Sequence, residues 1–83
     1  LIVKIFLTKP HTTWQSHYAD IEDLFKENDL KVVMESKVLG QNSVVLVIDG
    51  EPDKLAAVFR HSDLQKAMVD AGQGYIETMI ITE

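Results

Sequence analysis

The segment that most constrains the fold is Val44-Val45-Leu46-Val47-Ile48, five consecutive apolar residues of which four are β-branched. Gln41-Asn42-Ser43 precedes it and Asp49-Gly50 follows it, so turn-forming residues bound a run of strand length. Alternate residues of a strand point to opposite faces, and neither face of this strand is polar. The segment therefore predicts a central strand in a sheet that is covered on both faces.

The size and charge of the chain narrow its class. The 83 residues predict a single domain over 1–83. A net charge of −5 argues against binding to nucleic acid or to anionic membranes, both of which attract basic surfaces. The chain has no cysteine, which excludes disulfide and thiolate chemistry and fits a reducing, cytoplasmic location. Its longest apolar run is too short to span a membrane, and no cofactor is expected.

Three further segments alternate as strands do. Residues 1–8 have a wholly apolar face on the odd positions and a mixed face with Lys4 on the even positions. Residues 30–39 predict a half-exposed edge strand, followed by a hairpin turn at Gly40-Gln41-Asn42. One face of that strand would carry Val32, Met34, Ser36 and Val38, and the other would carry Lys31, Val33, Glu35, Lys37 and Leu39. Residues 75–82 predict the last strand.

A long helix is predicted between the first strand and the edge strand. Thr12-x-x-Gln15 has the form of a capping box. Apolar residues then recur at helical spacing, at Trp14, Tyr18, Ile21 and Phe25. The helix is expected to end at Asn28-Asp29.

The second helical region is predicted to be broken. Pro52 fits the first turn of a helix, and the apolar stripe that follows it slips by one position after Phe59. Ser62-x-x-Gln65 offers another capping box. We therefore predict a break near His61-Ser62 and a short helix that runs to Ala71.

The resulting order is the ferredoxin-like βαββαβ pattern of an α+β domain. It predicts a four-stranded antiparallel sheet of order 4-1-3-2, with both helical regions on one face. The other face would carry Phe6, Val33, Leu39, Tyr75, Met79, Ile81 and alternate valines of the third strand, with Lys4, Glu35 and Glu77 near or on it. Because monomers seldom expose a large apolar patch, we expect a symmetric homodimer that packs sheet to sheet.

The chain resembles the dimeric α+β barrel superfamily of ferredoxin-like domains. The resemblance rests on the βαββαβ order, on the doubly apolar central strands and on Ser62–Gly72, which looks like the short helix and turn common in these domains. Members include small cofactor-free monooxygenases, haem-handling and isomerase-like enzymes, and small uncharacterised domains of marine microbes. The resemblance implies a dimer and an apolar pocket between sheet and helices, without implying a particular reaction.

The candidate site residues are aromatic, methionine and histidine side chains around this expected pocket. Its lining would be Trp14, His17, Tyr18, Phe25, Met34, Phe59, His61 and Met68. The helix break would leave a gap beside part of this set, through which an apolar, fatty-acid-like molecule enters and presents its polar end to His17 or His61. His11 is expected to be solvated. No metal is expected, because no acidic residue has a spacing that matches the histidines.

Three functions remain open at this point. The first is binding of a small apolar ligand. The second is a cofactor-free oxygenase or isomerase in the same pocket, with His17 as the catalytic base because histidine titrates in the neutral range. The third is a structural or regulatory dimer with a full core. Binding is placed first, because no convergent polar cluster is visible in the sequence.

Overall fold

The computed structural model describes residues 1–79, apart from the side chains of Ser62 and Met79, and it has the predicted element order. The elements are β1 (Ile2–Leu7), α1 (His11–Glu27), β2 (Lys31–Lys37), β3 (Ser43–Asp49), α2 (Pro52–Phe59), α3 (Ser62–Asp70) and β4 (Gln73–Met79). The strands form one antiparallel sheet of order β2-β3-β1-β4, which is the predicted order 4-1-3-2. Ile80 and Ile81, expected in the last strand, lie outside the described residues.

The core lies between this sheet and the helices. Val3 is opposite Leu46 and Ile5 is opposite Val44, and all of these side chains are fully buried. The helices supply Trp14, Ile21, Phe25, Leu55, Val58, Leu64 and Met68 to the same cluster. Burying one large apolar side chain stabilises the fold by about 1.5–3 kcal/mol. The apolar faces of β1 and β3 therefore determine which side of the sheet the helices cover.

Helix α1 begins differently from the prediction. Pro10 is its N-cap residue, and no side chain makes a capping hydrogen bond. The pyrrolidine ring fixes φ of Pro10, here −56°, so the chain passes directly into the helix at His11. Thr12 consequently lies inside the helix, and the capping box predicted at Thr12-x-x-Gln15 is wrong.

The break in the second helical region is confirmed, but the residues that form the junction differ from the prediction. The N-cap of α3 is His61, which makes no side-chain capping bond, and not Ser62 as the capping box predicted at Ser62-x-x-Gln65 requires. Gln65 instead donates its side-chain Nε2 to the carbonyl oxygen of Phe59 at 2.7 Å. This bond satisfies a carbonyl at the end of α2 and fixes the turn between the two helices.

Edge strand β2 contains a bulge. Val33 is an extra residue between Val32 and Met34, because these two pair with adjacent residues of β3. Beyond the bulge the two faces exchange, so that Met34 lies on the open face of the sheet and Glu35, opposite Leu46, faces the helices. The facing predicted for Met34 and Glu35 is therefore wrong.

The other face of the sheet is open in the single chain. Within residues 1–79 it carries Ile2, Lys4, Phe6, Met34, Val45, Val47, Tyr75 and Glu77. The Lys4 ammonium lies 4.7 Å from the centroid of the Phe6 ring, and Lys4 is opposite Glu77 on β4. Tyr75 is 68% exposed. Leu39, which was expected here, lies in the β2–β3 turn and is exposed.

Candidate functional site

Two apolar pockets that share Phe59 lie on the helix-facing side of β4, beside the junction of α2 and α3, and we describe them together as one groove with two lobes. One lobe, of about 300 Å³, is lined by Phe59, Gln65, Met68, Val69, Gln73 and Ile76. The other lobe, of about 270 Å³, is lined by Pro52, Leu55, Ala56, Phe59 and Thr78. Because Phe59 belongs to both lobes, we call this feature the Phe59 groove.

Phe59 occupies the boundary between the core and the groove. Its ring meets that of Phe25 edge to face, with centroids 6.2 Å apart and planes at 87°, an arrangement that aromatic pairs favour. The residue is half-buried and ends α2, and α3 begins only at Ser62. Because Phe59 lines both lobes, open space lies on either side of this residue.

The residues between 1 and 79 that line the Phe59 groove are uncharged. The polar ones are Gln65, Gln73 and Thr78, and none of the described lining residues of either lobe is ionisable. Gln65 Nε2 is bonded to the Phe59 carbonyl, and Gln73 Nε2 donates to the carbonyl of Gly74 at 2.6 Å. The groove can therefore enclose an apolar molecule and offer it neutral amide and hydroxyl groups, but it supplies no acid or base.

The structure brings only some of the predicted apolar lining together. Phe59 and Met68 line the groove. Trp14 and Phe25 are fully buried in the core, with the Trp14 ring 6.3 Å from the half-buried ring of Tyr18. Met34 is separated from them by the sheet and is 50% exposed.

The predicted histidines do not line the Phe59 groove. His17 is half-buried on α1, and His61 is exposed at the N-cap of α3. Neither residue contributes to either lobe. The residues that sequence reasoning missed are those that β4 and α2 add, namely Gln73, Ile76, Thr78, Pro52 and Ala56.

A polar cluster lies at the opposite edge of the helix layer, between α1 and β2. His11 Nε2 is 3.9 Å from Glu35 Oε1, and the two side chains are 13% and 22% exposed. The expectation that His11 is solvated is therefore wrong, because the bulge in β2 turns Glu35 toward α1. These two atoms and Trp14 Nε1 are buried without a hydrogen-bond partner among residues 1–79.

Tyr18 is part of the same cluster. Burial raises the pKa of its phenol well above the usual value, and the hydrogen bond to Glu22 and the negative charges of Glu22 and Glu35 raise it further. Glu22 also pairs with Lys26 at 3.4 Å on the solvent side of α1. The phenol therefore keeps its proton to higher pH than a free tyrosine does and donates a hydrogen bond to the Glu22 carboxylate.

The cluster is less accessible than the Phe59 groove. The unpartnered atoms of His11, Trp14 and Glu35 are buried from solvent. Within residues 1–79, no group of three or more histidine, cysteine or acidic side chains is arranged to hold a metal ion. The cluster is thus a buried polar contact between α1 and β2, and the groove is the more open of the two features.

By its fold, this protein is a small α+β domain with ferredoxin-like topology. No protein-family model matches the chain, and no curated protein shows significant similarity to it. Among residues 1–79, no helix combines the length and the apolar character needed to cross a membrane.

Proposed function

We propose that the chain is a homodimeric module that binds an apolar, chain-like small molecule in the Phe59 groove. The observation that carries this proposal is the apolar, uncharged lining at the point where α2 and α3 separate. The two lobes, of about 300 and 270 Å³, have the size of small ligand pockets. Binding is favoured over acid–base catalysis, because no ionisable residue among residues 1–79 lines either lobe.

The dimer in this proposal is supported by the open face of the sheet. The apolar residues of this face, among them Phe6, Val47 and Tyr75, have no helix over them within residues 1–79. A second copy related by a twofold axis covers them and places Lys4 and Glu77 where opposite charges can pair across the interface. This is the arrangement of the dimeric α+β barrel superfamily, to which we propose the chain belongs. The cytoplasmic location stays a prediction from composition.

The groove is tested with two neighbouring alanines of α2. Ala56 and Ala57 are both exposed, but only Ala56 lines the groove. We expect wild type and Ala57→Phe to bind decanol by titration calorimetry, and Ala56→Phe to bind it about tenfold more weakly or worse, because the added ring fills a lobe. At a decanol concentration 100 times its Kd, wild type should gain about 2.7 kcal/mol of stability.

Two outcomes would contradict the binding proposal. One is the absence of decanol binding to the wild-type chain. The other is equal binding by Ala56→Phe and Ala57→Phe, which would place the ligand away from the groove. Thermal unfolding of both variants without decanol serves as the control for folding, and both should remain cooperative.

The dimer is tested by placing a charge at the centre of the open face. Val47 is half-buried there on a central strand, so Val47→Lys should leave the helix-covered core intact and oppose sheet-to-sheet packing. Sedimentation equilibrium should show two chains for wild type and for the exposed-site control Ala57→Lys, and one chain for Val47→Lys. An unchanged dimer in Val47→Lys would place the interface elsewhere.

A further inference from the structure

We infer that the Phe59 groove selects an uncharged lipophile, such as an alcohol or an ester, over a carboxylate that carries the same chain. This inference rests on the proposed function and specifies the chemical class of its ligand. It narrows the fatty-acid-like molecule expected from the sequence, because the two histidines that would have met a polar end, His17 and His61, line neither lobe.

Within the described part of the chain, residues 1–79, no positively charged side chain lines the groove. A carboxylate that leaves water needs a cation or several hydrogen-bond donors to offset its lost hydration. From the residues that the structure describes, the groove offers the amides of Gln65 and Gln73 and the hydroxyl of Thr78. Both amide nitrogens already donate to backbone carbonyls. These groups can pair with a hydroxyl or an ester carbonyl, but they do not balance a full negative charge.

The net negative charge of the chain is also unfavourable for an anionic ligand. Asp53 lies in the first turn of α2 and Asp63 in the first turn of α3. Lys66 on α3 and Arg60, the C-cap residue of α2, are exposed and line neither lobe. These cations offset Asp53 and Asp63 along the segment, so the excess negative charge is a property of the whole chain. With a net charge of −5, the chain as a whole also repels an anion. An uncharged head group avoids this repulsion and loses less hydration on entry.

The test compares decanol, methyl decanoate and decanoate at pH 7.4, each below its aggregation concentration, with wild-type protein in titration calorimetry. The three probes share one chain length and differ in charge. We expect decanol and methyl decanoate to bind with similar affinity and decanoate to bind about tenfold more weakly or worse. Decanoate binding as tight as decanol would overturn the selectivity and leave the groove intact as a binding site.

A matched pair of variants places a cation inside or outside the groove. Ala56→Lys introduces an ammonium into the lining, and Ala57→Lys introduces the same charge on the exposed surface beside it. We expect Ala56→Lys to bind decanoate several-fold more tightly than wild type does, and Ala57→Lys to match wild type. Equal gains in both variants would attribute the selectivity to the net charge of the chain and overturn the role of the lining.

Failure of the inference and failure of the proposed function give different results. If none of the three probes binds to the wild type, the Phe59 groove is not a lipophile site and both are wrong. If decanol and decanoate bind equally, only the selectivity is wrong. If decanol and the ester bind and decanoate is weaker, the lining has selected by charge as inferred.

Discussion

Glu35→Gln should stabilise the protein, which is an unusual result for a half-buried residue. The bulge in β2 turns the Glu35 carboxylate toward α1, where its Oε1 is buried without a hydrogen-bond partner, 3.9 Å from His11 Nε2. Glutamine keeps the shape of the side chain and removes its charge. Its amide can also donate a hydrogen bond to His11 Nε2 if the two side chains move slightly closer than the present 3.9 Å.

The size of the effect follows from the burial of Glu35. A buried acceptor without a partner costs about 1–3 kcal/mol, and more when it is charged. The lower end applies here, because the side chain is 22% exposed and water screens part of its charge. We therefore expect Glu35→Gln to raise the free energy of unfolding by about 1 kcal/mol, which corresponds to about 4–8 °C in Tm for a domain of this size.

Urea unfolding at pH 7.5 measures this change, with Glu27→Gln as the matched control. Glu27 is exposed on α1, so this control removes the same charge from the chain without touching the cluster. Its stability should stay within about 0.5 kcal/mol of wild type. A Glu35→Gln variant that is less stable than Glu27→Gln would show that the contact between His11 and Glu35 is net stabilising, and would refute the reasoning.

Two further predictions concern Tyr18 and Gly74. Because burial raises the pKa of Tyr18 in the folded state, the stability it contributes is present below the unfolded value near 10 and falls above it. The phenol is only partly buried and water screens the shift, so the loss stays below the full value of about 1.4 kcal/mol per pH unit. Urea unfolding from pH 9 to 11 should therefore show a shallower loss for Tyr18→Phe than for wild type, and parallel curves would contradict this. In Gly74→Ala, the new Cβ would lie 2.8 Å from the backbone oxygen of Phe6, so β4 must shift away from β1. We expect a loss of about 1–3 kcal/mol in thermal unfolding, and an unchanged Tm would contradict this contact.

Much of the fold was predictable, because most elements have one clear apolar period. The odd positions of β1 are all apolar, and residues 44–48 of β3 are apolar on both faces, so both strands were correctly placed at the centre of the sheet. The slip in the stripe after Phe59 correctly predicted the break between α2 and α3. The bulge at Val33 was not predictable. Side chains still alternate between the two faces on either side of an inserted residue, so the sequence pattern does not show where the faces exchange. The faces predicted for Met34 and Glu35 failed for that reason.

The candidate sites were only partly predictable. The expected gap at the helix break appears beside Phe59 and Met68. Its other wall depends on the helix-facing residues Ile76 and Thr78, whose place beside α2 and α3 follows from the pairing of β4 with β1 and not from any local pattern. The contact between His11 and Glu35 had no signal in the sequence, because it needs the β2 bulge to bring the carboxylate under α1.

The most direct test of the account is to map the decanol site by two-dimensional NMR of the ¹⁵N-labelled chain. If decanol binds in the Phe59 groove, the chemical shifts of the backbone amides around it should change saturably, at Gln65, Val69, Ile76 and Thr78. The chemical shift of the backbone amide of Glu35, which lies across the helix layer, should not change. An absence of shifts during the decanol titration, or shifts confined to Glu35 or to Val47 on the open face, would contradict the assignment of the Phe59 groove as the binding site.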